Sequence, residues 1–276
     1  MASKRWIGSH WSTTDRRARI VVVSHYSLVR DDAVLSVRDW GGDAPPLVLV
    51  HGLGANQRDW DSIGVKLAGQ FRVITYDQRG HGGSTRSADY SWAARVDDLS
   101  ALLSEMDLHS VTLVGHSLGA GVALMVAGAI ADCRGLVLID GALPAQLPVP
   151  YGKEPGHRVR NILVRITRAA GYRVRGNGPM SFADLSMIGD DYRTRAEEFD
   201  RALHTVACPT LYLVGSRTER GPTGPAFQNA REAAAARAVA VNPLVRVQWV
   251  DARHNMIRTH AREVASDIAH LAAEPR

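Results

Sequence analysis

Ser117 stands in Gly115-His116-Ser117-Leu118-Gly119, between an apolar run, Val111 to Val114, and an Ala/Leu/Val/Met-rich stretch, Leu118 to Ala131. The run reads as a buried strand and the stretch as a helix. A strand turning sharply into a helix forces the central residue into strained geometry and presents its hydroxyl at the sheet edge. Glycine is needed at 115 and 119 because a Cβ there would meet the neighbouring turn. The spacing alone is a weak pattern; its context makes Ser117 a candidate nucleophile rather than a simple helix cap. A serine hydroxyl needs a base within hydrogen-bond reach and a group that orients the base. Of eleven histidines, His254 is best placed, between the last apolar run, Leu244 to Val250, and the last helical pattern, Ala261 to Ala272. The acid is open between two residues. Glu219 lies just past the run Thr210 to Val214, and Asp140 ends the run Gly135 to Ile139. An oxyanion would require two backbone N–H groups, expected from Leu118 and from Leu53 in His51-Gly52-Leu53-Gly54. His51, His81 and His116 read as structural members of turns.

Parallel strands bring the loops after their C-terminal ends to one edge, and the apolar runs predict such a sheet. Ile20–Val23, Tyr26–Val29 and Val34–Trp40 form an antiparallel start. Leu47–Val50 is short and continuously apolar, as a strand buried on both faces is, and Phe71–Tyr76 and the runs already named read as the strands that follow it. Helices between them are predicted near Trp60–Gly69, Trp92–Met106 and Ala226–Ala240. The alternation implies an α/β fold: a mostly parallel eight-stranded sheet with helices on both faces. It breaks from Leu143 to Ala207, where helices near His157–Ala170, Ser181–Met187 and Asp191–Val206 suggest a helical cap inserted over the sheet edge. The expected organisation is an N-terminal arm (1–18), a core (19–142), the cap (143–207) and the rest of the core (208–276).

The chain has 276 residues and a net charge of +5. Lysine occurs only at 4, 66 and 153, leaving 30 of the 33 basic residues as arginine. That is a compositional bias spread along the chain, and no nucleic-acid-binding motif accompanies it. No apolar run is long enough for a membrane span, and no apolar segment of leader length follows the basic start. Cys133 and Cys208 lie in apolar surroundings without metal-ligand spacing and read as reduced thiols. The expectation is a cytoplasmic protein acting on a small molecule, without nucleic-acid or membrane partners; oligomeric state is open. From Lys153 to Arg175 seven basic residues face one acid, Glu154. They form either a lip for an anionic substrate or, the favoured reading, the solvated face of an arginine-biased helix.

Four motifs in order, His51-Gly52-Leu53-Gly54, Asp77-Gln78-Arg79-Gly80-His81-Gly82, Gly115-His116-Ser117-Leu118-Gly119 and His254, resemble those of α/β-hydrolase-fold enzymes from about Tyr26 to the last helix. The resemblance implies a Ser–His–acid triad, no metal or cofactor, and a cap that shapes the pocket. Family members often place an aspartate where Thr218 stands; some place the acid one residue later, matching Glu219, and others at the preceding strand end, matching Asp140. Serine at 117 argues against the dehalogenases and epoxide hydrolases of this fold, which use aspartate. The expected activity is hydrolysis of an ester, lactone or thioester through an acyl-enzyme. The alternatives are amide or carbon–carbon hydrolysis, a non-hydrolytic biosynthetic enzyme, or a ligand-binding protein.

Overall fold

Side chains alternate across a strand with a period of two, so a strand covered on both faces must be apolar throughout. Pro46–Val50 (β4) shows the consequence. Leu47 and Leu49 point into one buried cluster and Val48 and Val50 into another. The same division runs through Val111–His116 (β6), Cys133–Ile139 (β7) and Thr210–Gly215 (β8). The computed structural model describes residues 10–13, 21–142, 178–221 and 224–275. Among them nine strands form one sheet. The remaining five are His10–Thr13 (β1), Val21–Val29 (β2), Val34–Asp39 (β3), Arg72–Tyr76 (β5) and Val245–Val250 (β9). The order is β1-β2-β3-β5-β4-β6-β7-β8-β9. The first three strands and the β3–β5 pair are antiparallel; every later pair is parallel.

One face is covered by Asp61–Leu67 (α1), which follows a 3-10 turn at Gln57–Trp60, and by the C-terminal helix Ala261–Ala273. Trp92–Glu105 (α2), Leu118–Ala129 (α3) and Gly224–Val241 (α6) cover the other. In α2, Leu99, Leu102 and Leu103 face the sheet, and the Ser91 hydroxyl accepts the Ala94 N–H (3.2 Å) to start the helix. Between β7 and β8 lie Phe182–Arg193 (α4) and Ala196–Thr205 (α5). The start of α4 is fixed by a capping box: Ser181 Oγ accepts the Asp184 N–H while Asp184 accepts the Ser181 N–H. Met256–Thr259 (α7) and Ala261–Ala273 (α8) close the chain.

Three expectations need correction. The sheet gains a ninth strand because β1 pairs with β2, from His10 opposite Ser24 to Thr13 opposite Val21, inside the segment read as an arm. Ile20–Val23 and Tyr26–Val29 belong to one strand, since Ser24 and His25 continue the ladder opposite Asp39 and Arg38. The helix expected at Asp191–Val206 starts later, at Ala196, because α4 runs through Asp191 and Tyr192 to Arg193. The expected helix at His157–Ala170 and the basic segment Lys153–Arg175 lie outside the described residues. No helix among the described residues is long and apolar enough to cross a membrane.

The loop after β5 is anchored by the buried pair Arg79–Asp98, which ties it to α2 through Nε–Oδ2 and Nη2–Oδ1 contacts of 2.7 Å each. Removing one partner of such a pair strands the other charge in a low-dielectric setting. Asp98→Asn is therefore expected to lower the stability measured by urea unfolding by about 3 kcal/mol.

Candidate active site

The strand ends place the candidate residues. β6 ends at His116, and the next residue, Ser117, adopts φ 55° and ψ −121° before α3 begins. That is a strained position for a residue with a Cβ, and it is held from several sides. The Ser117 N–H donates to the Ile139 carbonyl (2.9 Å). A Cβ on Gly115 would lie 2.3 Å from the Gly119 carbonyl oxygen, and one on Gly119 would lie 2.3 Å from that of Val50. Asp140 (φ 48°) and Ala142 (φ 53°), just past β7, are also left-handed. Between them Gly141 passes so close that a Cβ would sit 2.1 Å from the Ser117 carbonyl oxygen.

His254, in the loop after β9, places Nε2 2.9 Å from Ser117 Oγ and Nδ1 2.6 Å from Asp140 Oδ2. Of the two acids left open by the sequence, Asp140 meets the imidazole. Glu219 meets the backbone: its Oε1 accepts the His254 N–H at 2.6 Å. The other end of the same residue is held by His116, whose Nε2 lies 2.8 Å from the His254 carbonyl. A carbonyl only accepts, so Nε2 carries the proton in that contact.

Asp140 is buried, which opposes its ionisation. The His254 contact and the Arg231 guanidinium outweigh that penalty and hold its carboxyl well below the usual carboxylate range. Arg231, on α6 and fully buried, hydrogen-bonds Asp140 Oδ2 through Nη2 and reaches Glu219 Oε1 at 2.9 Å. Its guanidinium carbon lies 4.7 Å from the Phe227 ring centre, one turn earlier, and Phe227 meets the His254 ring edge-on at 6.0 Å. Arg231 was missed because α6 reads as a simple alanine-rich helix. A signal existed: Arg231, Ala234, Ala235 and Ala238 share one face by their spacing, and an arginine among small residues on a buried face demands a partner.

The loop His51-Gly52-Leu53-Gly54 lies against the serine, since a Cβ on Gly52 would be 3.0 Å from Ser117 Cβ. The Ala55 N–H closes back on the Gly52 carbonyl (3.2 Å), leaving Leu53 at the turn. Leu118 is the first residue of α3, so its N–H has no acceptor within the helix. These are the two amides expected to receive an oxyanion. His51 and His81 brace this loop as neutral rings. His51 Nε2 accepts the Gln78 N–H (3.0 Å) and His81 Nε2 accepts the Gly54 N–H (3.1 Å). Desolvation pushes both rings below the ordinary histidine range.

A further residue outside the expected set comes from α4. The Tyr192 hydroxyl accepts the Ala142 N–H (2.7 Å) and donates to the Ser117 carbonyl (3.2 Å). Its ring packs on Trp92 (6.0 Å) and Phe199 (5.3 Å), and burial pushes its phenol further up. Among the described residues no cluster of three or more His, Cys, Asp or Glu is arranged to hold a metal ion.

The sequence profile of the alpha/beta hydrolase family matches residues 47–268. An uncharacterized protein of Mycobacterium tuberculosis is 47% identical over 87 residues, 31% of this chain and 26% of that protein. The sn-1-specific diacylglycerol lipase ABHD11 of Mus musculus is 33% identical over 138 residues, 49% of this chain and 39% of that protein. The chain thus spans about a quarter to two fifths of the length of these relatives. Among solved structures, an esterase from Exiguobacterium antarcticum superposes with a TM-score of 0.68 at 19% identity, covering 88% of this chain and 96% of the esterase. At that identity the likeness is one of fold.

The site makes stability depend on pH. Burial first, then the neighbouring His254, pushes His116 down to about 3. An unfolded histidine takes up its proton below about 6.5, while the native ring stays neutral until about pH 3. The unfolded chain therefore binds more protons in that window, and stability is lost as pH falls through it, with no effect above it. The urea midpoint of the native protein is expected to drop between pH 7 and pH 5, and His116→Gln should make that drop shallower.

Proposed function

We propose that this chain, a member of the α/β-hydrolase family, is a serine hydrolase that cleaves an ester, lactone or thioester of a small metabolite through an acyl-enzyme. The observation that carries the reading is the unbroken path Ser117 Oγ–His254 Nε2 (2.9 Å) and His254 Nδ1–Asp140 Oδ2 (2.6 Å). His254 takes the proton of Ser117 as Oγ attacks the substrate carbonyl carbon. The negative oxygen of the tetrahedral intermediate is received by the N–H groups of Leu53 and Leu118. When the intermediate collapses, the bond to the leaving alcohol or thiol breaks and His254 returns the proton to that group. Water, deprotonated by the same ring, then attacks the acyl carbon and frees the acid and Ser117.

Asp140 is assigned as the acid on two grounds: it contacts the ring, whereas Glu219 contacts the main chain, and it is buried and ionised beside Arg231. In this reading residues 143–207 are a cap. Support comes from α4, where Gly189 lies over the Leu53 side chain and Tyr192 reaches the Ser117 carbonyl. The name of one relative, a diacylglycerol lipase, favours oxygen-ester substrates. A cytoplasmic location belongs to the same reading.

A fluorophosphonate probe followed by peptide mass spectrometry tests the assignment. The expected adduct is on Ser117, absent in Ser117→Ala and in His254→Ala; a folded protein that takes up no probe refutes the proposal. With an ester substrate, Asp140→Asn should cost about 10⁴ in kcat by leaving the imidazole in the wrong tautomer. Glu219→Gln, which keeps an acceptor for the His254 N–H, should cost about tenfold. Equal losses in the two variants would mean that the acid is misassigned.

A further inference from the structure

The four groups behind the serine close into a ring. His254 Nδ1 meets Asp140 Oδ2 (2.6 Å), the same oxygen accepts Arg231 Nη2, that nitrogen meets Glu219 Oε1 (2.9 Å), and this oxygen accepts the His254 N–H (2.6 Å). Three of the four carry fixed charge, and the arrangement is built rather than incidental. Arg231 has no exposed side-chain surface, Asp140 has none, and Glu219 keeps 29%. Arg231 Nη1 is also held, by the Arg217 carbonyl (3.3 Å) and Gln228 Oε1 (3.2 Å).

A buried arginine on the orienting carboxylate creates a conflict. It fixes the carboxylate in place, but its positive charge cancels the negative charge that should stabilise an imidazolium. Asp140 and Arg231 together are neutral, and Glu219 returns the sum to −1. We propose that Arg231 and Glu219 are a charge-balanced pair of positioning residues: Arg231 locks Asp140 against His254, and Glu219 restores the negative environment while gripping the His254 backbone. The inference rests on the reading of His254 as the base, but its test does not need activity.

The charged and titratable neighbours are these. Asp140 comes from the loop after β7, and Glu219 and the exposed pair Arg217–Asp251 from the loops after β8 and β9. Arg231 comes from α6, the neutral His116 ring (4.8 Å between ring centres) from β6, and Arg258, which acts on His116, from α7. Arg258 is itself paired with Asp59, and Arg217 with Asp251, so Glu219 and Arg231 are the charges varied in the test.

The experiment is an NMR titration of the His254 imidazole in the resting protein, assigned with His254→Gln, in three variants of the full chain. Glu219→Gln keeps both hydrogen-bond acceptances and deletes one negative charge, so the midpoint should move to lower pH by about one unit. Arg231→Met deletes the positive charge and keeps most of the side-chain volume on Phe227, so the midpoint should move up by about one unit. In the double variant the two charges vanish together, and the midpoint should return to within about 0.3 unit of the native value. Shifts of the same sign in the two single variants, or a double variant whose midpoint stays displaced by about a full unit, would refute the pair. Should Arg231→Met not fold, an unmoved midpoint in Glu219→Gln alone refutes it. If the native protein takes up no fluorophosphonate while the three midpoints behave as stated, the hydrolase reading fails and the charge balance stands.

Discussion

A serine held at φ 55° can exist only where its neighbours leave it room and its backbone is tied down. Most of the described site follows from that constraint. Three glycines, at 115, 119 and 141, let three stretches of main chain approach the elbow without a side chain between them. The strand ends must coincide at one edge so that Ile139 accepts the Ser117 N–H and the loop after β7 wraps the Ser117 carbonyl. The parallel register of β4, β6, β7 and β8 delivers that coincidence. The two opposed apolar clusters fix the register, because a slip of one residue would exchange the faces.

Around the elbow, charge is distributed by burial. Three histidines near the serine, His51, His81 and His116, are fully or almost fully enclosed and serve as neutral rigid brackets whose tautomers are set by the amides and carbonyls they meet. His254 alone among the four reaches the serine and a carboxylate at once. The difference is one of partners rather than residue type: a ring between main-chain groups is a strut, and a ring between a hydroxyl and a carboxylate can move a proton.

Much of this was legible in the sequence. The positions of Ser117 and His254 follow from where apolar runs stop, which local pattern reports well. The choice between Asp140 and Glu219 does not, because both follow strands that end at the same edge. What separates them is the part of His254 that each meets, the ring for Asp140 and the main-chain N–H for Glu219, and that depends on how the loops after β7, β8 and β9 pack together. Pattern reading also passed over β1 and split β2 in two: His10–Thr13 is polar but for Trp11 and becomes a strand through its pairing with β2, and Ser24–His25 stay in the ladder through their pairing with β3. Tyr192 falls with Leu185 and Ile188 on one face of α4 and reads as packing, since nothing local reveals that its hydroxyl ends at the elbow.

That hydroxyl couples two parts of the chain usually regarded as separable. Insertions between core strands are the natural place for a fold to vary, since they can change length and composition without disturbing the sheet. Here one phenolic oxygen, borne by the segment between β7 and β8, bridges the main chain of Ser117 and the loop that follows Asp140. Exchanging the inserted helices for another set would thus remove a strut from the strained turn as well as reshape what covers it. The insertion and the turn are one mechanical unit, and a recombined chain would have to recover a hydrogen-bonding group at that point before its new cover could be of use.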